Sequence, residues 1–594
     1  MLLKVFILSL FLCKHSHGII IDEDTFLSVR AWQSLNDNPE LSDFPESKIP
    51  ELLSKPNTAI AFSGGGSRAF IGSMGYLAAL LKLDLLKNVR YIGGISGGAW
   101  ATTAFSYVQN LKSDYEFLGP VLQPQEMTVD NLREMSPQCA RSFASANVTF
   151  IAAQALLKGE VQTVADAWVY AISKAYLEPA GIAKNTPFTL NQAAVDDIKS
   201  RNPSLADQPF LLPADSLALG ADSVGSRPYM LIGTSLEGPV SSGPYNAEAQ
   251  NYTMIEITPL YVGQQRDLDV QHTNSLGLTR SRHVGGAIES FAFSVAGSSS
   301  SAALSAGTGS DLLKVRVAAN SQLLDLAHAA GASSYAPGAL LTSLPAKLSS
   351  ALGLTMQYWS PSSTGTAPTQ NSNGVVTSTE SYFCDGGSYE NMPVINFLQR
   401  KVERIVLFYT SVVPLQPSTK WDPFTEPFTS DKLTDDMAAL FGVFDSNQAG
   451  WYNRSYEVER NQVFASSDFA PVVAALQAAQ QVGKGIITTA TLTTVSNTWW
   501  GIPAGFKASV TFAYLGRLSR WEQRLRPELK ELLVPHNVED AEDLSKDISH
   551  GPFRNFPHYF TAGGEINAER ANVLADLTAW SVLQNADVFR SVLS

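Results

Sequence analysis

The sequence predicts an α/β fold of three layers, with a central, largely parallel sheet and helices on both sides. Two short apolar runs, 58–62 and 91–95, each meet a glycine-rich turn and lead into an apolar segment typical of a helix. Strands that enter helices through tight turns are typical of parallel sheets, whose sites form at the carboxyl ends of the strands.

Composition supports a large folded enzyme rather than a nucleic-acid binder. The chain has 594 residues, 45% of them apolar, which is enough for a sizeable core. The net charge of −13 argues against nucleic acid as a partner and against purely electrostatic docking on anionic lipid. We expect one large domain over 19–594, with lid or cap insertions at about 111–225 and 411–510. The first of these could equally be further helical layer.

The N-terminus resembles a secretory signal peptide over residues 1–18. Lys4 supplies the positive start, 5–13 the apolar centre and 16–18 a cleavage site of small residues. The alternative is a buried N-terminal strand. Neither this run nor any other apolar stretch is long enough for a transmembrane helix. The sequence therefore predicts a protein that is secreted or lies in the lumen of the secretory or endolysosomal route.

Two further features agree with export. Candidate glycosylation sites of the form N-x-[ST] occur at Asn147, Asn251 and Asn453. After the signal only Cys139 and Cys384 remain. In an exported chain this pair forms one disulfide or stays free and buried, and the sequence leaves both alternatives open.

The first glycine turn contains Gly64, Gly65 and Gly66, followed by Arg68. Consecutive glycines let bare backbone approach a ligand, and their N–H groups can point at a negative oxygen. Arg68 places a positive charge beside them that suits a phosphate or a developing oxyanion. A nucleotide phosphate loop is the competing interpretation, but the lysine that such a loop needs does not follow the glycines.

The second turn reads Gly94-Ile95-Ser96-Gly97-Gly98 and fits the nucleophile elbow G-x-S-x-G. In that motif the serine occupies a strained turn between strand and helix, so the residues two before and two after it must be tiny. The following helix directs its N-terminal amides at any oxyanion that forms there. An ordinary glycine-rich loop would give the same letters.

Far along the chain, Asp385 follows a β-like run and precedes Gly386 and Gly387. An aspartate in this position can reach into a site without neighbouring side chains in the way. Asp-Gly is also a common turn dipeptide, so an ordinary turn is the alternative.

In this order, the three motifs resemble the patatin-like lipases. They resemble more closely the catalytic module of cytosolic phospholipase A2 and of the fungal phospholipase B (lysophospholipase) enzymes. The segments 254–263, 290–298 and 385–393 are similar to further parts of that module. The resemblance covers roughly residues 50 to 590 and implies the patatin or cytosolic-phospholipase-A2 variant of the hydrolase fold.

The resemblance also implies roles for the motif residues. Ser96 would be the nucleophile, and Asp385 would be the base of a dyad without histidine. The amides of Gly64–Gly66, with that of Gly97, would form the oxyanion hole, and Arg68 would orient phosphate or assist the oxyanion. No metal or cofactor is expected. The cytosolic relatives carry a calcium-binding membrane module ahead of the catalytic part, and too few residues precede the glycine turn here, so we expect calcium-independent chemistry.

The predicted function is hydrolysis of fatty-acyl esters of phospholipid or lysophospholipid at a membrane or micelle surface. A general lipid esterase or acyltransferase, and an exported binding or storage protein of low activity, stay open as alternatives. His536, His550 and His558 follow Asp385, so a Ser-Asp-His triad is also formally open. Trp499-Trp500 is expected to be a buried pair, with an exposed aromatic tip as the alternative. The sequence contains no indication of the oligomeric state.

Overall fold

A computed structural model describes residues 26–35, 38–109, 113–214, 227–243, 252–273, 279–299, 310–319, 321–336, 352–361, 376–445, 461–533, 553–560 and 565–594. The chain divides into two compact units. The first unit comprises Met1–Asn36, Asn147–Pro213 and Ile232–Ser388, and the second comprises Asp37–Ala146, Ala214–Leu231 and Tyr389–Ser594.

The strands, in chain order, are β1 Phe26–Trp32, β2 Thr58–Phe62, β3 Tyr91–Gly94, β4 Tyr229–Pro239, β5 Thr253–Ile257, β6 Tyr261–Thr273, β7 Thr279–Glu289, β8 Gly297–Ser299, β9 Asp311–Val317, β10 Leu354–Tyr358, β11 Thr379–Cys384, β12 Arg404–Tyr409, β13 Ile486–Thr493 and β14 Lys507–Tyr514.

The α-helices are α1 Pro50–Leu53, α2 Gly66–Lys82, α3 Gly97–Tyr107, α4 Asp114–Leu118, α5 Val129–Arg133, α6 Val148–Lys158, α7 Val164–Ile172, α8 Gln192–Arg201, α9 Leu326–Ser333, α10 Val394–Gln399, α11 Asp435–Ala439, α12 Phe469–Val482, α13 Ser519–Glu522, α14 Pro527–Leu533, α15 Ala568–Gln584 and α16 Ala586–Leu593.

The second unit is built on parallel strands in the order β14-β12-β2-β3, with β13 added antiparallel at the edge beside β14. One rung of the ladder runs from Thr511 through Val406 and Ile60 to Ile92. All five residues of β2 are buried. A strand that is apolar on both faces is typical of a parallel sheet covered by helices on each side, so the predicted α/β fold with parallel strands is confirmed.

Two long helices of this unit, α2 and α15, pack closely together. A β-carbon on Gly75 would lie 2.1 Å from the Ala575 carbonyl oxygen and 2.1 Å from Thr578 Oγ1. The contact therefore depends on bare backbone at Gly75. Because α2 begins at the glycine turn that follows β2, this packing also fixes the direction in which the turn leaves the sheet.

The first unit is built on antiparallel strands. From Ile232 of β4 onward the order is β4-β5-β6-β7-β1-β9-β8, and β11 pairs with β4 and β10. Arg201 of α8 bridges Asp197 of the same helix and Glu289 at the end of β7. Arg30 of β1 also contacts Asp197, so this charge network joins β1 and β7 to one helix. These strands make the fold mixed rather than purely parallel.

The two expected insertions are built differently. Segment 111–225 supplies helices α4 to α8, which divide between the units at Asn147. Segment 411–510 supplies α11, α12, β13 and the start of β14, and so contributes one strand and part of a second to the sheet itself. A lid role for either segment, and a single domain over 19–594, stay predictions.

Several sequence predictions fall on positions outside the described residues. These are the signal segment 1–18, the glycosylation candidates Asn251 and Asn453, and the histidines His536 and His550. Within the described ranges, no helix combines the length and the apolar character needed to cross a bilayer.

Candidate active site

Ser96 lies on a strained turn between β3 and α3. Its backbone has φ of 53° and ψ of −121°, a conformation that non-glycine residues rarely adopt. A β-carbon on Gly98 would lie 2.4 Å from the Phe62 carbonyl oxygen, and one on Gly94 would lie 2.3 Å from the Gly98 carbonyl oxygen. The tiny residues that the motif requires are therefore imposed by backbone contact, and the turn is a nucleophile elbow in its geometry.

The glycine turn after β2 lies directly against this elbow. A β-carbon on Gly97 would lie 2.2 Å from the Gly66 carbonyl oxygen. Gly66 and Gly97 are the first residues of α2 and α3. Amides at a first helical position have no acceptor within their own helix and carry the positive end of its dipole. Two such helix starts therefore meet beside Ser96.

Gly64 contributes space rather than a donor. Its N–H donates to the Asn391 carbonyl over 3.1 Å, so this amide is not available to an oxyanion. A β-carbon at Gly64 would lie 2.1 Å from Asn391 Oδ1 and 3.1 Å from the Ser96 β-carbon. Of the predicted donors, those at the helix starts, Gly66 and Gly97, fit the oxyanion role best. Gly65, which lies between Gly64 and Gly66 in the chain, has a φ of 131°.

Arg68 is held inside the turn rather than on its surface. The side chain is 5% exposed. Its Nε donates to the Thr410 carbonyl and its Nη1 to the Tyr559 carbonyl, each over 2.6 Å. Its Nη2 lies 2.5 Å from a β-carbon built on Gly65. Burial lowers the pKa of Arg68 to about 10, so the group is still cationic at neutral pH. Direct contact with a substrate phosphate stays a prediction.

His558 is buried close to this cation. Its Nδ1 lies 2.9 Å from the Ser411 carbonyl, which can only accept, so Nδ1 carries the proton. Burial, with a smaller contribution from Arg68 and Arg517, lowers the pKa of His558 to about 4. The ring is therefore neutral at physiological pH, and its resolved hydrogen bond serves the backbone of the segment after β12.

Asp385 belongs to the first unit and begins the loop after β11. Its Oδ1 accepts from the Gly387 N–H over 2.8 Å. Its own N–H donates to the Tyr335 carbonyl over 3.2 Å, and Ser235 Oγ donates to its carbonyl over 2.9 Å. Thr234 Oγ1 holds the preceding carbonyl, that of Cys384, over 2.9 Å. Asp385 is thus fixed through its backbone as well as through its carboxylate.

Cys139 and Cys384 are both buried and are free thiols in this structure. Cys139 packs against Gly119, and the Cys384 thiol donates to Ser388 Oγ over 3.5 Å. Burial raises the pKa of both thiols, which therefore stay protonated. Each thiol packs against residues of its own unit.

Two other predicted residues, Asn147 and Trp500, have defined structural contacts, and glycosylation of Asn147 stays a prediction. Asn147 caps α6, and its side chain accepts from the Phe150 N–H over 2.9 Å. Trp500 is 1% exposed and lies 6.0 Å from the Tyr389 ring, centroid to centroid, which confirms a core position for that tryptophan. Trp499 is only half-buried, so the expected buried pair is confirmed for one member.

Three residues that no sequence motif singled out hold the motifs in place. Asn391 packs on Gly64, Ser235 bonds the Asp385 carbonyl, and Asp436 Oδ2 accepts from Asn391 Nδ2 over 2.7 Å. Asn391 was visible only as part of the segment 385–393. Ser235 and Asp436 lie far along the chain from the groups they support, and no local pattern marks them.

The comparisons with known proteins agree with the elbow and the glycine turn. The family model described as patatin-like phospholipase matches residues 60–197. Cytosolic phospholipase A2 delta of Mus musculus is 34% identical over 158 residues, which cover 26% of this chain and 18% of that enzyme. Cytosolic phospholipase A2 delta of Homo sapiens is 33% identical over 131 residues, which cover 21% of this chain and 15% of that enzyme.

Among solved structures, human GIVD cytosolic phospholipase A2 aligns with a TM-score of 0.41 and 14% identity, over 93% of this chain and 62% of that one. The two cytosolic phospholipase A2 delta enzymes are matched over less than a fifth of their own length. The family match includes the glycine turn and Ser96, whereas Asp385 lies beyond it. Over residues 60–197, this chain is therefore similar to the patatin-like phospholipases.

Proposed function

We propose that the protein hydrolyses fatty-acyl esters of phospholipids or lysophospholipids through an acyl-serine intermediate. The observation that carries this proposal is the meeting of two helix starts, at Gly66 and Gly97, beside the strained Ser96. A nucleophile next to preorganised amides is the arrangement that acyl transfer requires. The family match over 60–197 supports a lipid ester as the substrate class.

In the proposed reaction, Ser96 Oγ attacks the ester carbonyl while Asp385 takes its proton. The amides of Gly66 and Gly97 stabilise the oxyanion of the tetrahedral intermediate. Collapse breaks the bond to the alcohol, which leaves with the proton from Asp385. Water then gives a proton to Asp385 and attacks the acyl-serine, releasing the fatty acid and restoring the Ser96 hydroxyl. Each oxyanion donor is worth about 3 kcal/mol in comparable enzymes.

Chain connectivity supports Asp385 as the base. The loop that begins at Asp385 continues to Asn391, whose carbonyl and side chain both contact Gly64 beside Ser96. An ordinary aspartate has a pKa of about 4 and is a weak base at neutral pH. We therefore infer that enclosure of the bound substrate raises the basicity of Asp385 during turnover.

Arg68 would supply positive potential to the turn. Two neutral carbonyls hold its guanidinium, so these bonds fix its position without cancelling its charge. We propose that this charge favours a lipid phosphate or the developing oxyanion. The signal-like segment 1–18 and the Asn147 sequon support entry into the secretory route, which differs from the cytosolic location in the names of the relatives.

The test is fatty-acid release from vesicles of phosphatidylcholine and lysophosphatidylcholine. We expect wild type to release fatty acid, and Ser96→Ala and Asp385→Asn to lower the rate about a thousandfold or more, because each removes a reacting group. Adding EDTA should leave the wild-type rate unchanged, since the nucleophile and base are both side chains.

Each other outcome has a defined meaning. Loss of release in EDTA would contradict calcium independence but not the dyad. Transfer of the acyl group to an added alcohol in place of water would identify an acyltransferase. A folded wild type that releases no fatty acid from either lipid would overturn the phospholipase proposal and favour a different ester or the binding-protein alternative.

A further inference from the structure

The amide of Asn391 has a defined orientation because of its partner. Its Nδ2 lies 2.7 Å from Asp436 Oδ2, and a carboxylate oxygen can only accept from it. Nδ2 must therefore face Asp436, so Oδ1 faces the opposite way. The opposite side is the glycine turn, where Oδ1 occupies the space that a β-carbon of Gly64 would need.

Asn391 consequently holds Gly64 from two directions. Its carbonyl accepts the Gly64 N–H over 3.1 Å, and its side-chain oxygen packs on the Gly64 α-carbon. The Ser96 β-carbon lies on the same side, 3.1 Å from the position of the missing β-carbon. Rotation or withdrawal of the Asn391 side chain would thus release the turn at the point where it faces Ser96.

Asp436 is itself anchored to the end of the sheet. It lies in the first turn of α11, and Thr434 Oγ1 lies 3.3 Å from its Oδ2. The Thr434 N–H donates to Tyr514 Oη over 3.1 Å, and Tyr514 Oη donates to the Val413 carbonyl over 2.8 Å. Tyr514 is the last residue of β14. These hydrogen bonds hold the Asp436 carboxylate in a fixed position, from which it can orient the Asn391 side chain.

We propose that Asp436 is a positioning residue for the acyl transfer proposed above, acting through Asn391 on the glycine turn. It touches no reacting atom. Its role is to hold Gly64, and with it the helix start at Gly66, at the distance from Ser96 that oxyanion binding requires. Displacement of a reacting group by about 1 Å can cost about a hundredfold in rate, so a support of this kind has a measurable effect. The inference rests on the proposed function.

The test compares Asp436→Ala and Asp436→Asn with the neighbouring control Asp435→Asn, whose wild-type carboxylate accepts from Ser430 Oγ. We expect Asp436→Ala to lower kcat for fatty-acid release tenfold to a hundredfold, with KM changed less than threefold. Asp436→Asn, which keeps an acceptor of the same shape, should lose less. Asp435→Asn should stay within twofold of wild type. The rate of covalent labelling by an alkyl fluorophosphonate should fall in parallel with kcat.

A reversal of the hydrogen bond separates positioning from folding. Asn391→Asp alone would set two carboxylates against each other and should lower kcat at least tenfold. Combined with Asp436→Asn, the donor and acceptor are exchanged and an oxygen still faces Gly64, so at least tenfold of the lost kcat should return. The changes in kcat should not follow the thermal unfolding midpoints of the variants.

Two results would overturn the inference alone: labelling of Asp436→Ala at the wild-type rate, or a double variant no better than Asn391→Asp. If Asp436→Ala does not fold, the reversal experiment decides by itself. A wild type that neither releases fatty acid nor reacts with the fluorophosphonate would overturn the proposed function, and this inference with it.

Discussion

At the scale of single residues, Asp385 depends on a hydroxyl that the sequence did not reveal. Ser235 Oγ donates to the Asp385 carbonyl at the point where pairing between β4 and β11 ends. The hydroxyl therefore continues the strand contact by one residue, into the loop that carries the proposed base. The position of the carboxylate is set from the sheet and not only by the glycines that follow it.

Ser235→Ala should lower kcat about threefold to tenfold, the range that loss of one neutral hydrogen bond of about 1 kcal/mol gives. Thr234→Val is the matched control, because it removes the adjacent bond to the Cys384 carbonyl. We expect Thr234→Val to lower the free energy of unfolding about as much as Ser235→Ala does. Its effect on kcat should be smaller. Equal effects of both variants on kcat would contradict a specific role for Ser235.

His558 provides a pH-dependent stability term. In the folded state its pKa is about 4, below its ordinary value of 6.5, so the unfolded chain binds a proton that the folded chain does not. Stability from this residue is complete above pH 6.5 and is lost as the pH falls toward 4, by about 3 kcal/mol in the limit. His558→Gln keeps a donor for Ser411 and should remove this slope in unfolding measured from pH 7.5 to 4.5.

The same variant bears on the catalytic machinery. Because His558 is neutral and bonds a backbone carbonyl, activity at pH 7.5 should stay within a few-fold of wild type. Loss of activity as severe as that from Asp385→Asn would indicate a Ser-Asp-His triad instead of a dyad.

The elbow motif made Ser96 and Gly97 predictable, because a strained elbow needs tiny neighbours within two residues. The run of three glycines after the first strand made Gly66 a candidate. The loss of the Gly64 amide to Asn391 was not predictable from the turn alone. That bond joins residues far apart in the chain, and only the folded backbone shows that the Gly64 amide is already paired.

At the scale of elements, the contact of α2 with α15 limits what the chain can change. Gly75→Ala would place a methyl group against the backbone oxygen of Ala575, which cannot move without shifting α15. We expect the free energy of unfolding to fall by about 1–3 kcal/mol, the usual cost of overpacking a core.

Denaturant unfolding of Gly75→Ala measures this cost, with Gly159→Ala as the control. A β-carbon on Gly159 meets nothing within 4 Å, although its φ of 69° is unfavourable for alanine. The control should therefore lose only about 1 kcal/mol, from backbone strain. A smaller loss at Gly75 than at Gly159 would contradict close packing of the two helices.

The parallel strands β2 and β3 were predictable because each is a short apolar run beside a turn signal, whereas β12 was expected from the family resemblance. Strands β13 and β14 were not, although they extend the same sheet. β13 lies at the edge of the sheet and has exposed threonines. β14 is mostly buried between β12 and β13, but it begins in a segment whose aromatic residues and length indicated an insertion. Edge strands carry a weaker signal, because one face and one border meet solvent.

At the scale of the whole molecule, the net charge of −13 shapes the encounter with lipid. Repulsion from an anionic surface extends about 30 Å at 10 mM salt and about 8 Å at physiological ionic strength. Anionic lipid added to phosphatidylcholine vesicles should therefore slow fatty-acid release at low salt, and the difference should shrink at 150 mM. Faster release on anionic vesicles at low salt would reveal a local basic docking surface that outweighs the net charge.

The state of the two thiols has a consequence for handling the protein. Because Cys139 and Cys384 are buried, protonated and free, the folded chain requires no oxidation of these two thiols. Its folding is then indifferent to the redox poise of the surroundings at these positions. A reducing host, such as the bacterial cytosol, can yield the same covalent form of these two residues as an oxidising compartment.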